Sequence, residues 1–209
     1  MCTNHTVVNS DAIVSEQLEA LFVAQAARPA VLDDINPSQL TPFQRALLVT
    51  DGTVTRLIKA YTMSSVEVVP LRETERALGI EHAWLELPIG DPIVTREVVL
   101  QTPATADTQA PKVHAYAISD LVYQRLPKSV VDGLKSRAGG LGSLLQRTIL
   151  ETRRDLLWWG VERATGLPDA LGHLESKPFL SRTYRIVAKK DPLMLITEKF
   201  PLDESILGT

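Results

Sequence analysis

The stretch Leu193-Met194-Leu195-Ile196-Thr197-Glu198-Lys199-Phe200-Pro201 near the C-terminus has the composition and spacing of a β-strand. A period of two places the Glu198 carboxylate on the same face as three apolar side chains, those of Met194, Ile196 and Phe200. Burying a carboxylate without a partner is costly, so such a group is paired, changes its ionisation or takes part in chemistry. Glu198 is therefore a candidate catalytic residue on the wall of a pocket.

A second predicted strand, residues 93–100, contains the opposite charge in the same kind of place, because Arg96 shares a face with Val94 and Val98. The ordinary alternative, in which Arg96 and Glu198 pair with each other or reach solvent, stays open at this point. An arginine fork suits a ligand carboxylate, and a glutamate suits a hydroxyl group or a proton in transfer. The two strands together predict a polar pocket with Arg96 and Glu198 at opposite ends.

The segments between these strands predict the fold class. Thr41-Pro42-Phe43-Gln44 is typical of a capping box that opens a helix through Leu48, and Asp51-Gly52 predicts a turn into a second helix over 54–61. These two helices could form a flap or a packed hairpin. We expect further helices over 129–137 and 141–163, with the tryptophans of the latter in the core. Further strands are expected over 66–71, 113–118 and 181–187. Such a pattern predicts an α+β fold, with an antiparallel sheet and helices on one side.

Length and composition limit the possible functions. With 209 residues, 44% of them hydrophobic and a net charge of −3, we expect one domain over 40–205 preceded by an extension, 1–39, that contains a helix. No apolar run is long enough to cross a membrane, and the first residues lack the basic and then apolar pattern of a secretory signal, so we expect a cytoplasmic protein. The charge disfavours a nucleic-acid partner. A single cysteine excludes an internal disulfide, and the oligomeric state is left open.

Motifs for cofactors and metals are missing from the sequence. There is no phosphate-binding glycine-rich loop after a strand, no G-x-S-x-G motif and no pair of histidines at metal-ligand spacing. We therefore expect neither a cofactor nor a metal. The run Gly139-Gly140-Leu141-Gly142-Ser143 at a predicted helix start could present backbone N–H groups to a ligand, and its ordinary alternative is a flexible helix entry.

Several segments, taken in order over residues 40–203, resemble the chorismate pyruvate-lyase (4-hydroxybenzoate synthase) family, whose fold is called chorismate lyase-like or UTRA-like. The matching segments are 51–56, 95–100, Leu126-Pro127, 141–145, 182–185 and 197–201. The resemblance implies helical flaps over an internal pocket and cofactor-free cleavage of chorismate to 4-hydroxybenzoate and pyruvate for a biosynthetic pathway.

The resemblance also implies roles for individual residues. Arg96 would grip the ring carboxylate, and Glu198 would lie by the ring hydroxyl. Val54 and Leu141, with Gly142, would line the aromatic ring, and Arg182 is a further candidate for substrate binding.

The sequence departs from the family pattern at three places that bear on the substrate. Ile118 and its neighbours stand where family members often have an arginine, and Gly140 and Ser143 stand where proline and arginine are usual. These changes would weaken the grip on the enolpyruvyl carboxylate, for which Arg153, Arg182 or Arg185 could compensate.

Two alternatives to a chorismate lyase follow from these departures. The first is a related enzyme that acts on another cyclic or polyketide substrate, because a fold does not fix a function. The second is a non-catalytic small-molecule sensor, similar to the effector domains of some transcription regulators. Residues 1–39 are too few for the winged DNA-binding domain that such regulators carry.

Overall fold

The computed structural model describes residues 10–106, 108, 110–136, 140–148 and 150–203. Six strands form one antiparallel sheet in the order β1-β2-β3-β6-β5-β4, which confirms the predicted α+β class. The strands are β1 Glu67–Ala77, β2 Pro92–Thr102, β3 Lys112–Leu121, β4 Arg153–Arg163, β5 Pro178–Ala188 and β6 Asp191–Pro201. The α-helices are α1 Ser10–Glu19, α2 Pro42–Val49, α3 Val54–Thr62, α4 Lys128–Lys135 and α5 Leu141–Gln146.

The capping box predicted at the start of α2 is present. Gln44 N–H donates to the Thr41 hydroxyl at 3.3 Å, and Thr41 N–H donates back to the Gln44 side chain at 2.8 Å. These reciprocal bonds satisfy two backbone donors that the first turn would otherwise leave without partners. The α2 helix ends at Val49, and the chain then turns through Asp51 and Gly52 into α3.

The sheet is built from two groups of neighbouring strands that meet at its centre. Strands β1, β2 and β3 form a meander, and β5 and β6 form a hairpin with β4 at its outer side. Pairing of β3 with β6 joins the two groups. As a result Glu198 on β6 lies between Ala117 on β3 and Arg182 on β5.

The α-helices pack on one face of this sheet, as predicted. Side chains from α2 and α3 cover one half of the face, with Leu48 and Ile58 fully buried. Side chains from α4 and α5 cover the other half, where Val130 and Leu144 are buried. The opposite face is covered partly by a 3₁₀ segment, from which Leu171 packs on the sheet. Between the two helical groups the sheet is left partly uncovered.

The prediction that 141–163 is one long helix is wrong beyond α5, because residues 153–163 form strand β4. The run Leu156-Leu157-Trp158-Trp159 is apolar without alternation, and a buried strand of this kind cannot be distinguished from a buried helix by periodicity. A register shift between Leu156 and Trp158 further disrupts the period of two. The tryptophans are nevertheless buried, as expected.

The described part of the N-terminal extension packs along the outer edge of β4. Val23 N–H donates to Leu156 O at 2.9 Å, and Ala24 N–H donates to Leu157 O at 3.0 Å. The Gln25 side chain bonds both the N–H and the carbonyl of Trp159, at 3.0 and 2.9 Å. The domain boundary at residue 40 stays a prediction. No helix in the described ranges is long and apolar enough to cross a membrane.

Candidate small-molecule binding site

A cavity of about 370 Å³ lies over the partly uncovered strip of the sheet, between the first turns of α3 and α5. Its walls are mainly apolar, and its polar groups come from side chains on the sheet, on α3 and its N-cap, and at the start of α5. Aliphatic residues of the lining are Val54, Val66, Val68, Val98, Leu100, Ala117, Leu141, Leu145, Ile186 and Ile196, and the polar or charged ones include Thr53, Arg56, Lys59, Ser119, Ser143, Arg154, Tyr184 and Glu198. A concave apolar cavity with few polar groups is the usual form of a small-molecule site.

The first turns of α3 and α5 approach each other closely above this cavity. A Cβ atom added to Gly142 would lie 2.9 Å from Cγ2 of Thr53, and one added to Gly140 would lie 3.1 Å from Cγ2 of Val68. Glycine therefore allows the α5 segment to lie directly on its neighbours. The structure places Val54, Leu141 and Gly142 in the cavity lining.

Glu198 lies at the base of the cavity, and its side chain is 11% exposed. Its Oε2 accepts a hydrogen bond from Nε of Arg182 at 2.8 Å, and its Oε1 accepts one from the Tyr184 hydroxyl at 3.2 Å. Burial and the nearby Glu198 charge raise the pKa of Tyr184, so its hydroxyl stays protonated and donates. The carboxylate is thus paired and oriented while it remains part of the cavity surface.

Arg182 supports Glu198 from behind and does not line the cavity. Its side chain is fully buried, its Nη1 donates to the carbonyls of Leu48 and Thr50 at 3.0 and 3.1 Å, and its guanidinium lies 4.9 Å from the ring centre of Tyr184. The structure therefore does not place Arg182 on the cavity surface, where a residue predicted to bind substrate would lie. Arg182 connects the end of α2 to the catalytic candidate on β6.

Arg96 is also not part of this cavity, so the prediction that it shares one cavity with Glu198 is wrong. The Arg96 side chain, 5% exposed, turns toward Glu73 on β1 with an Nε to Oε2 distance of 3.7 Å. It lines a neighbouring cavity of about 280 Å³ with Leu134 and Lys135 of α4. Val98, two residues along the same face, does line the main cavity, so the two cavities are neighbours on the sheet.

The residues that depart from the family pattern do not all lie on the same face of the sheet. Ile118 points to the opposite face, where it packs near Leu171, whereas its small neighbours Ala117 and Ser119 line the cavity. Gly140 and Ser143 also line it. Small side chains at these positions leave room over the sheet where larger groups would reduce the volume.

Neither of the other two arginines proposed to compensate for the departures reaches the cavity. Arg153 and Arg185 lie on the opposite face of the sheet, where their Nε atoms donate to the Asp155 carboxylate at 2.6 and 3.0 Å. The Arg153 hydrogen bond is the main cause of the lowered pKa of Asp155, against which its burial acts.

Three basic residues of the lining were missed by the sequence analysis. Arg56 and Lys59 lie one turn apart on α3, and Arg154 lies on β4. The i, i+3 spacing on α3 was a usable signal, because such residues share a helix face. Arg154 was hidden because its segment was interpreted as helix.

An antiparallel sheet with helices on one face, and a mainly apolar cavity beneath their first turns, defines an α+β domain with a candidate small-molecule site. Solved structures of other proteins share this fold. The effector domain of PhnF from Mycobacterium smegmatis is 15% identical, with a TM-score of 0.55 over 75% of this chain and 92% of that one. The gene product SA0254 from Staphylococcus aureus subsp. aureus N315 is 16% identical, with a TM-score of 0.51 over 72% and 88%.

The sequence assigns the chain more narrowly than the fold does. Residues 48–206 match the model of the family described as chorismate pyruvate-lyase Rv2949c-like, and the chain belongs to that family. A comparison with curated proteins gave no match.

Proposed function

We propose that the protein is a chorismate pyruvate-lyase that forms 4-hydroxybenzoate and pyruvate without a cofactor. The observation that carries the proposal is the position of Glu198, a paired carboxylate at the base of an apolar cavity of about 370 Å³. Membership of the chorismate pyruvate-lyase family supports the same activity.

The reaction requires orientation more than chemical activation. The bond between the ring carbon and the ether oxygen of the enolpyruvyl group breaks, and a hydrogen leaves the neighbouring ring carbon that bears the hydroxyl. The ring electrons become aromatic, and the released enolpyruvate gains a proton at its methylene carbon to give pyruvate. Aromatisation supplies the driving force, so the protein has to hold the ring and stabilise developing charge.

In this proposal Glu198 contacts the ring hydroxyl and assists the departure of the neighbouring proton. Arg182 and Tyr184 hold that carboxylate in one orientation, which is the role of positioning residues. The backbone and side chains around Val54 and Leu141, with Gly142, enclose the ring.

Arg96 is proposed to bind the ring carboxylate from the neighbouring cavity. Its ion pair with Glu73 is 3.7 Å long, beyond the 2.7–2.9 Å typical of a charge-assisted hydrogen bond. A ligand carboxylate at hydrogen-bonding distance would form a shorter contact with the guanidinium than Glu73 does. Binding would then require the side chain to turn from Glu73 toward Ser119, its cross-strand neighbour in the main cavity.

The test is to incubate the purified protein with chorismate and to measure pyruvate and 4-hydroxybenzoate together. We expect equal amounts of both products. Glu198→Gln should lower kcat by about 10²- to 10⁴-fold, the usual contribution of a positioned acid or base. Arg96→Ala should abolish binding of 4-hydroxybenzoate.

A matched control is Glu162→Gln. Glu162 is a buried carboxylate that is paired with Lys199 on the opposite face of the sheet, so its loss disturbs a similar ion pair away from the cavity. Turnover with unchanged kcat in Glu198→Gln would contradict the assigned role. Absence of pyruvate from the wild-type reaction would reject the lyase activity itself.

A second candidate function is catalysis on a larger cyclic or polyketide substrate. The small lining residues Ala117, Gly140 and Ser143 favour it, because they leave space over the sheet. Tight binding of such a compound without turnover of chorismate would support this candidate, and binding without turnover of any such compound would indicate a sensor.

A further inference from the structure

The charges around the cavity are unevenly distributed. Among the described lining residues there are three cations, Arg56, Lys59 and Arg154, and one carboxylate, Glu198. Glu198 is already neutralised by Arg182, which lies behind it and is fully buried. The surface that a ligand meets is therefore positive, which suits a ligand with more than one negative charge.

Arg154 combines burial with an incomplete set of partners. Its side chain is 17% exposed, and its Nη1 donates to the backbone carbonyl of Asp51 and lies 3.4 Å from the Asp51 carboxylate. Its buried Nε has no hydrogen-bond acceptor in the described part of the chain. A hydrogen bond to a ligand oxygen would stabilise this buried N–H group, because without an acceptor the free-energy cost of removing it from water is not offset.

Arg56 extends the same positive region to the rim. Its side chain is exposed, lines the cavity and makes no hydrogen bond or ion pair with another described side chain. The segment that carries Asp51 leads directly into α3, so the contact between Arg154 and Asp51 fixes the entry to the helix on which Arg56 lies.

The position of Arg154 in the sheet separates it from Arg96. With the strand order β1-β2-β3-β6-β5-β4, Arg96 on β2 lies two strands to one side of Glu198, and Arg154 on β4 lies two strands to the other side. Two cations on opposite sides of a central acid can hold two carboxylates of one ligand while the acid meets a group between them.

We propose that Arg154, assisted by Arg56 at the rim, binds the second carboxylate of the substrate, which in chorismate is the carboxylate of the enolpyruvyl group. This inference rests on the proposed function and adds the residues that recognise the leaving group. They compensate for the arginine absent at Ala117, Ile118 and Ser119, on the other side of the cavity. Arg154 thus selects dianionic substrates over monoanionic aromatic acids.

The experiment compares Arg154→Gln with Arg153→Gln. Arg153 is the adjacent arginine on β4, and it points to the opposite face toward Asp155. For each protein we would measure KM for chorismate, which has two carboxylates, and the inhibition constant of 4-hydroxybenzoate, which has one. Arg154→Gln should raise KM about 10- to 100-fold, the usual worth of a hydrogen bond to a charged group, and change the inhibition constant less than about threefold. Arg154→Lys should recover part of the loss, and Arg153→Gln should resemble the wild type.

Four results separate this inference from the proposed function. Selective weakening of chorismate in Arg154→Gln supports the inference, whereas equal weakening of both ligands, or of neither, overturns it and leaves the lyase activity standing. If the wild type does not turn chorismate over, the Kd for chorismate is measured by calorimetry in place of KM. An Arg154→Gln protein that then binds chorismate more weakly, but 4-hydroxybenzoate equally well, supports the inference although the lyase activity has failed. A wild-type protein that does not bind chorismate overturns both.

Discussion

The ion pair between Arg182 and Glu198 offers the most direct test of how the site is held together. Arg182 is fully buried, and its partners are Glu198 and the carbonyls of Leu48 and Thr50. Substituting Arg182→Met leaves the carboxylate without its cation and both carbonyls without their donor. Loss of one partner of a buried pair costs about 3–5 kcal/mol, which is a large part of the stability of an ordinary domain.

The assay is equilibrium unfolding in urea, followed by tryptophan fluorescence. With a slope of about 2 kcal/mol per molar urea, a loss of that size moves the midpoint down by about 2 M. The double variant Arg182→Met with Glu198→Met removes both charges, so its loss should be smaller than that of Arg182→Met alone. A control variant, Lys190→Met, removes an exposed cation from the turn between β5 and β6 and should move the midpoint far less.

Two results would refute this reasoning. One is a loss below about 1 kcal/mol in Arg182→Met, which would mean that water or a rearranged side chain replaces the cation. The other is additivity, in which the double variant loses the sum of the two single losses, because the two charges would then be independent. Failure of Arg182→Met to fold, with recovery in the double variant, agrees with the expected size of the loss.

Two further predictions concern the cover of the cavity and the opposite face of the sheet. Gly142→Ala should weaken ligand binding several-fold and lower the free energy of unfolding by about 1–3 kcal/mol, because the new Cβ would lie 2.9 Å from Thr53. The control is Gly79→Ala, whose new Cβ meets nothing within 4 Å. Equal ligand affinities of the two variants in a binding titration would contradict the close packing. The Arg153 hydrogen bond lowers the pKa of Asp155 from its ordinary 3.8, so the ionised Asp155 contributes fully to stability above that value, and the contribution is lost as the pH falls through the lower folded pKa. Asp155→Asn should therefore make the stability depend less on pH below pH 4. An unchanged slope of stability against pH would show that another group is responsible.

The sequence was sufficient to predict the fold class and the face of β6 on which Glu198 lies. Alternation of apolar residues identified β6 and placed Glu198 on its apolar face, because only the spacing along one strand matters for that inference. The capping box at Thr41 was equally local, since its hydrogen bonds join residues three positions apart. Local patterns of this kind survive folding because tertiary contacts reinforce them.

The partners of Glu198 required knowledge of the register. Arg182 lies opposite Glu198 in the hairpin of β5 and β6, but a register shift near the turn, between Ile186 and Val187, makes counting back from the turn unreliable. The left-handed conformation of Lys189, with φ of 56°, is a further irregularity of this turn. A one-residue error in register would have put Arg182 on the opposite face from Glu198.

The position of Arg96 could not be obtained from its strand alone. The period of two correctly gave its face, yet the direction of its side chain is decided by Glu73 on β1 and by the end of α4, far away in sequence. Similarly, Arg154 was missed because residues 153–163 lack alternation, so that the face on which it lies could not be assigned. The Arg96 error arises because contacts between distant segments override a local pattern, and the Arg154 error arises because its segment has no clear local pattern.

The hydrogen bonds of Val23, Ala24 and Gln25 to β4 have a practical consequence for producing the protein. A version shortened to the family-matched residues 48–206 would lack the segment that bonds to β4, so the backbone N–H and carbonyl groups along that edge would be exposed. Bare strand edges recruit strands from other copies, so such a fragment should be prone to self-association and poor yield. The segment around Val23, Ala24 and Gln25 therefore protects the edge of β4 from pairing with other copies of the chain.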